Sequence, residues 1–137
     1  MNAHPYLRAY MAGITLPTLG LVVVMTTFTL ARHVWNVAVP IERIVVFPMA
    51  MAPNLWGLWN MLYVALRGRP RLPIGLHGAI LPFLVAPIAF TITRLVDFEI
   101  PGPIASAFPL AFPVVLVVFY LLWRHFVGFL NELLGVA

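Results

Sequence analysis

Apolar and polar positions along the chain separate into four long runs that contain no Asp, Glu or Arg: 11–31, 44–66, 74–93 and 104–123. A helix needs about 20 apolar residues to cross the roughly 30 Å hydrocarbon core of a bilayer, and each run meets that length. The linkers between runs are short and carry turn residues, among them Pro40, Gly68, Pro70, Pro101 and Gly102. Helices joined so tightly are expected to be antiparallel neighbours. The pattern therefore predicts an all-α polytopic membrane protein, a four-transmembrane-helix up-down bundle forming one domain over residues 1–137. Residues 1–10 are too polar for a signal peptide, and no small-residue cleavage site follows the first run, so that run is expected to be a retained span.

The pattern also repeats. Gly-Ile-Thr-Leu-Pro at 13–17 is matched by Gly-Ala-Ile-Leu-Pro at 78–82, and FTLARHV at 28–34 by FTITRLV at 90–96. FPMAMAP at 47–53 is matched in turn by FPLAFP at 108–113. The order is kept and the offset drifts by only a few residues. This predicts two duplicated helical hairpins, about 11–66 and 74–123, inserted the same way and related by a pseudo-two-fold axis along the membrane normal.

Small residues recur at helical spacing. In lipid, helices associate through close packing of such residues rather than through hydrophobic burial. The third run carries Gly75, Ala79, Pro82, Ala86, Ala89 and Thr93; the first carries Gly13, Pro17, Gly20, Thr27 and Ala31. These two seams are expected to meet near the pseudo-two-fold axis, with Gly57 adding a small position in the second run. Every run also contains proline, and the pairs Pro48/Pro53, Pro82/Pro87 and Pro109/Pro113 predict kinks, because each proline removes a backbone hydrogen bond.

The stretch PNLWGLWNMLY at 53–63 departs from the surrounding grease. Helical spacing divides it into two faces. One holds Ala50, Asn54, Gly57 and Met61, and Asn54 there could bond across a close-packed seam. The other holds Pro53, Trp56, Asn60, Tyr63 and Arg67, with Trp59 nearby. An aromatic face with polar handles suits helix packing, an amphipathic ligand or lipid headgroup, or a neighbouring subunit. The matching stretch of the fourth run, VVLVVFYLLW at 114–123, has no asparagine, so the repeat diverges at this block.

Charge sets orientation. With four spans, Arg8, Arg67, Arg69, Arg71 and Arg124 share one side. The other side holds Arg32, Arg43 and Arg94, offset by Glu42, Asp97 and Glu99. The arginine excess predicts cytoplasmic N- and C-termini. The outer charged layer is expected to form solvated ion pairs of small energy, or alternatively a gate or ligand contact.

Composition narrows the chemistry. The chain is 63% hydrophobic and 9% charged, against roughly a quarter charged in soluble domains. It has no cysteine and no lysine, which excludes disulfides, thiolate chemistry and a lysine Schiff base. The net charge of +4 is spread as single arginines at the ends of apolar runs, which does not suggest nucleic-acid binding. No run holds a carboxylate of the kind proton-coupled transport uses. Ser106 has no evident histidine partner. His77 and His125 could in principle ligate a haem, but polar helix ends explain them as well. No metal, cofactor or catalytic set is predicted.

The tail at 124–137 places Phe126, Phe129, Leu130, Leu133 and Leu134 on one side, and Gly128, Asn131 and Glu132 on the other. It is expected to lie at the cytoplasmic interface as an amphipathic helix or to prolong the fourth run. The block PIERIVVFPMAMAPNLWGLWN at 40–60 resembles one found in small bacterial multi-span membrane proteins, a group with no activity to transfer. The resemblance is best at this block and looser over the first three runs, and it implies a bacterial inner-membrane location.

Two functional readings follow. The first is a non-enzymatic packing protein, a homo-oligomer or an accessory subunit of a membrane complex, with membrane lipids and other membrane subunits as partners. The second is a small transporter or a binder of an apolar ligand or lipid at the Trp56/Asn60/Tyr63 face. A cavity reaching Asn54 or Asn60 favours the second; amides satisfied within the protein favour the first.

Overall fold

A computed structural model of the 137-residue chain describes residues 4–95, 97, 99 and 102–136; the side chains of residues 43, 44, 46–48 and 104 lie outside that description. Among the described residues there are four helices and no strand. The first is α1, Pro5–His33. The second is composite: α2, Ile41–Ile44, runs through a π-helical turn, Val45–Ala50, into α3, Met51–Ala65. The third is α4, Ile74–Leu95. The fourth joins α5, Gly102–Leu122, through a second π-turn, Trp123–Val127, to α6, Gly128–Leu133. Three stretches are long and apolar enough to cross a membrane: Pro5–His33, Ile74–Leu95 and Ala105–Leu133. The composite second helix is not among these three.

The two π-turns have separate local causes. Pro48 lies inside the first and has no N–H to donate. The same turn includes Met49, whose carbonyl would meet the ring of Pro53 in a regular α-helix. No proline lies in the second. There the widened turn serves register. Steps of four residues advance about 40° around an ideal helix, so Phe119, Trp123, Val127 and Asn131 would wander off one face. The wider turn winds the face back, and Trp123, Val127 and Asn131 are all buried. The tail therefore prolongs the fourth helix, and it is the side bearing Asn131 that packs inward. Phe126, Phe129 and Leu133 remain more than half exposed.

Glycine decides how closely the helices approach. A Cβ on Gly13 would stand 2.6 Å from the Trp56 carbonyl oxygen and 2.8 Å from Gly57 Cα. One on Gly57 would stand 2.6 Å from the Tyr10 ring. Thus α1 and α3 cross on a pair of glycines. In the second hairpin the pattern is different: Gly75 lies under the Tyr120 ring and Gly78 under Trp123. The two seams expected to meet each other instead each meet the returning helix of their own hairpin. The reason is that Gly57 and the Tyr120/Trp123 rings supply the complementary surfaces. Gly20 has no neighbour within 4 Å, so it has no part in that crossing, while Ala79 and Ala86 are half-buried on α4.

Burial is concentrated at the end of the molecule that carries the 66–73 loop. Among the described residues, none of α1 beyond Gly13 is buried, none of α4 beyond Pro82, and none of α5. Met49, in the first π-turn, is buried further along. In the remaining half, α4 and α5 meet through edge-on phenylalanines, Phe83 with Phe112 at 5.1 Å and Phe90 with Phe108 at 5.3 Å. Hydroxyls in the apolar stretches satisfy themselves on the preceding turn, as Thr15 does on the Met11 carbonyl, Thr27 on Val23 and Thr91 on Pro87.

At the far end, Arg32 of α1 pairs with Glu42 of α2 at 2.5 Å. The hydrogen bond from Arg32, with help from a backbone N–H, holds the Glu42 carboxyl below its ordinary value of 4.5. A depressed carboxylate contributes stability that is present above its unfolded pKa and lost as pH falls through the folded one. The difference in thermal midpoint between wild type and Glu42→Gln should therefore be positive at pH 7 and vanish on acidification below the carboxylate range. It should also shrink in 1 M salt, because the pair is exposed. A difference that persists at pH 2 would show that Glu42 acts by something other than its charge. Arg94, Asp97 and Glu99, with Thr93, surround a shallow polar recess at this same end. Of the outer charged layer, only the Arg43 side chain lies outside the described residues.

Candidate functional site

The buried half is built from two joined clusters, one aromatic and one of amides. The aromatic cluster starts at Phe119 of α5. Trp56 of α3 packs on Phe119 at 5.1 Å and on Trp123 at 5.4 Å between ring centroids. Trp123 meets the edge of His77 at 5.8 Å. His77 of α4 then stacks on Trp59 at 4.7 Å and tilts against Tyr63 at 5.2 Å. The Arg71 guanidinium closes the series, 4.4 Å above the Tyr63 ring. Ring pairs of this kind add about 0.5–1.5 kcal/mol each beyond the area they bury. The series runs between α3, α4 and the fourth helix, so it is the main tie between the two hairpins.

Two ring nitrogens of this cluster are spent inside it. Trp59 Nε1 donates to the His77 carbonyl at 2.8 Å. His77 Nε2 lies 3.0 Å from the Trp59 carbonyl; a carbonyl only accepts, so Nε2 carries the hydrogen. The two residues thus clamp α3 to α4 reciprocally. Trp123 Nε1, by contrast, is buried with no hydrogen-bond partner. The ring it belongs to is wholly buried over Gly78.

The amide cluster lies beside it. Asn60 is wholly buried. Its Nδ2 donates to the Ala9 carbonyl and to Asn131 Oδ1, both at 2.7 Å. Asn131 Nδ2 returns a bond to Asn60 Oδ1 at 3.0 Å. Both N–H groups of Asn60 are therefore used, and α1, α3 and α6 are tied at one point. The chain then reverses. Gly135 takes a left-handed φ of 64°. The Val136 N–H bonds the Asn131 carbonyl at 2.8 Å and the Gly135 N–H bonds Glu132, a Schellman closure that glycine suits. This places Val136, 1% exposed, among Ala9, Tyr63 and Val64. Arg8 reaches the Leu134 carbonyl at 3.4 Å.

The sequence-predicted residues are thus separated by the structure. Trp56, Asn60 and Tyr63 come together, but as buried packing elements and not as an open face. Trp59 is half-buried against His77. Asn54 is exposed on the opposite side, where Tyr10 donates to its Oδ1 at 2.6 Å and its Nδ2 bonds back to Ala50. Arg67 is exposed past the end of α3. Sequence reasoning missed Asn131 as the partner of Asn60, Trp123 as the central ring and His77 as a packing residue. One signal was present: Asn131 is the only side-chain amide that follows Asn60 in the chain, and a buried amide needs a polar partner.

No nucleophile and base are brought together among the described residues. Ser106 is exposed and donates to the Pro103 carbonyl. His125 is exposed, whereas His77 is buried among rings. Comparison with known protein families, curated proteins and solved structures finds no match to this chain.

Proposed function

We propose that this chain is a non-enzymatic packing protein of a bacterial inner membrane, acting as a homo-oligomer or as an accessory subunit of a membrane complex. In this reading all four helices span the bilayer as two duplicated hairpins, and both termini face the cytoplasm beside the arginine-rich 66–73 loop. The observation that carries it is the closed state of the Trp56/Asn60/Tyr63 block. Its amide is saturated by Ala9 and Asn131, and its rings are filled by Trp123 and His77. A ligand bound there would have to displace the protein's own core. The half away from this core presents long apolar helices with no partner chain element on much of their surface; Leu110 is 82% exposed. Such helices suit contact with further helices or with lipid.

Because the chain has no cysteine, single cysteines report contacts cleanly. Leu110→Cys, Val114→Cys and Val23→Cys variants should be oxidised in native membranes and the products resolved by mass. A disulfide-linked homodimer at one face, or a fixed-stoichiometry complex in native mass spectrometry from nanodiscs, is the expected result. Uncross-linked monomer at all three positions, with only monomer in native spectra, would overturn the reading.

A further inference from the structure

An apolar groove of about 370 Å³ opens between α3 and α4, walled by Leu55, Leu58, Trp59, Leu84, Val85 and Ile88 among others. It lies beside the closed aromatic core and shares Trp59, Leu81 and Val85 with it. The Trp59 indole nitrogen is already bonded to the His77 carbonyl, so the wall it adds is apolar. Leu58 and Leu84 are 56% and 45% exposed, so the groove is open at the side.

Its position relative to charge is informative. The helices that form it are joined directly by the 66–73 loop. Along α3, Leu58 and Leu55 lie seven and ten residues before Ala65; along α4, Ile88 lies fourteen residues after Ile74. At 1.5 Å per residue the groove occupies about 10–20 Å beyond the loop, which brackets the midplane of a roughly 30 Å core, where the inner ends of acyl chains from that leaflet lie. The loop carries Arg67, Arg69 and Arg71. Arg71 is engaged with Tyr63. Arg67 and Arg69 are exposed, and neither guanidinium has an ion pair or hydrogen bond among the described contacts. The only carboxylate on this side in the four-span arrangement is Glu132, against five arginines.

We propose that the α3/α4 groove holds one acyl chain of an anionic phospholipid whose phosphate is bound by Arg67 and Arg69. An apolar slot at hydrocarbon depth, on helices whose connecting loop carries two unpaired guanidinium groups, matches the two ends of such a lipid. A zwitterionic lipid fills the slot equally but gains less from the arginines. The site goes beyond the packing function proposed above. It requires only that α3 and α4 lie in the bilayer, so it stands or falls separately from oligomerisation.

The test is native mass spectrometry of the full chain from nanodiscs of phosphatidylcholine mixed with phosphatidylglycerol, at collision energies that strip bulk lipid. Wild type is expected to retain one phosphatidylglycerol per chain. Juxtamembrane arginines each favour anionic lipid enough that Arg67→Gln/Arg69→Gln should lose roughly thirtyfold in preference for phosphatidylglycerol over phosphatidylcholine. Leu84→Trp, which fills the slot, should lose retention of both lipids. Arg94→Gln, at the other end of α4, should behave as wild type. Equal retention of the two lipids by wild type would overturn the proposal. So would unchanged retention in Leu84→Trp, or a lipid-free dimer whose contact maps to Leu58 and Leu84, which would assign the groove to a second copy of the chain.

Discussion

Asn60→Leu is expected to lower stability by about 1–3 kcal/mol, because it strands the buried side-chain amide of Asn131. The native amide uses both hydrogens, one on Ala9 and one on Asn131, and accepts from Asn131 in return. Leucine has similar bulk but offers none of these. Interhelical hydrogen bonds in membranes average only about 0.6 kcal/mol, since the unfolded chain in lipid also finds partners. This site should exceed that average, because three bonds meet at one wholly buried residue. The loss should be local before it is global. The α6 segment is held by Asn131, by Val136 in the Ala9/Tyr63/Val64 cluster and by Arg8. Protease sensitivity after Gly128 should therefore rise in Asn60→Leu while helix content falls little. The double variant Asn60→Leu/Asn131→Leu separates the causes. An apolar pair leaves no amide unsatisfied, so it should recover most of the loss, measured by reversible unfolding in mixed micelles. Strictly additive losses would show that the two residues do not act as a pair.

Gly78→Ala should be the more damaging change, at about 3 kcal/mol, the upper range for overpacking a filled core. The added methyl would fall inside the Trp123 side chain. Trp123 is fully buried and packed on Trp56 and His77, so it cannot move without breaking the tie between the hairpins. A compensating loss of volume should rescue: Gly78→Ala/Trp123→Leu is expected to be more stable than Gly78→Ala alone. Gly20→Ala serves as the control, because nothing lies within 4 Å of that position, and it should be neutral or slightly stabilising through helix propensity. Thermal unfolding in detergent, followed by circular dichroism, reads all four. A Gly78→Ala variant as stable as wild type would mean that Trp123 is not seated as described.

The two hairpins show what similar short motifs do and do not prescribe. Gly13 and Gly78 hold matching places in the sequence pattern, yet they pack differently. The first lies against the backbone of Gly57, the second beneath a tryptophan ring. The difference arises in the returning helices, where PNLWGLWNMLY supplies a glycine and an amide and the fourth run supplies Tyr120 and Trp123. The divergence was legible; its geometric consequence required the helices to be placed in three dimensions. The same holds for the tail. Its heptad-like spread of phenylalanine and leucine suggests an apolar face turned to the core or to lipid. A π-turn at Trp123–Val127 shifts the register so that Asn131 turns inward.

Helical class, the apolar runs 11–31, 74–93 and 104–123 beneath the three span-length helices, and the lack of cysteine and lysine chemistry follow from the sequence alone. They depend on local composition and on the cost of an unsatisfied backbone in hydrocarbon. Which polar groups meet is different in kind. Asn60 and Asn131 are 71 positions apart, and Trp59 and His77 exchange bonds across an intervening loop. No local rule selects among the possible partners of a single amide or ring. That choice was made only by the tertiary structure, through the close approach allowed at Gly13, Gly57 and Gly78. It seals into the closed core of the molecule a face that in sequence suits helix packing, a ligand or a neighbouring subunit alike.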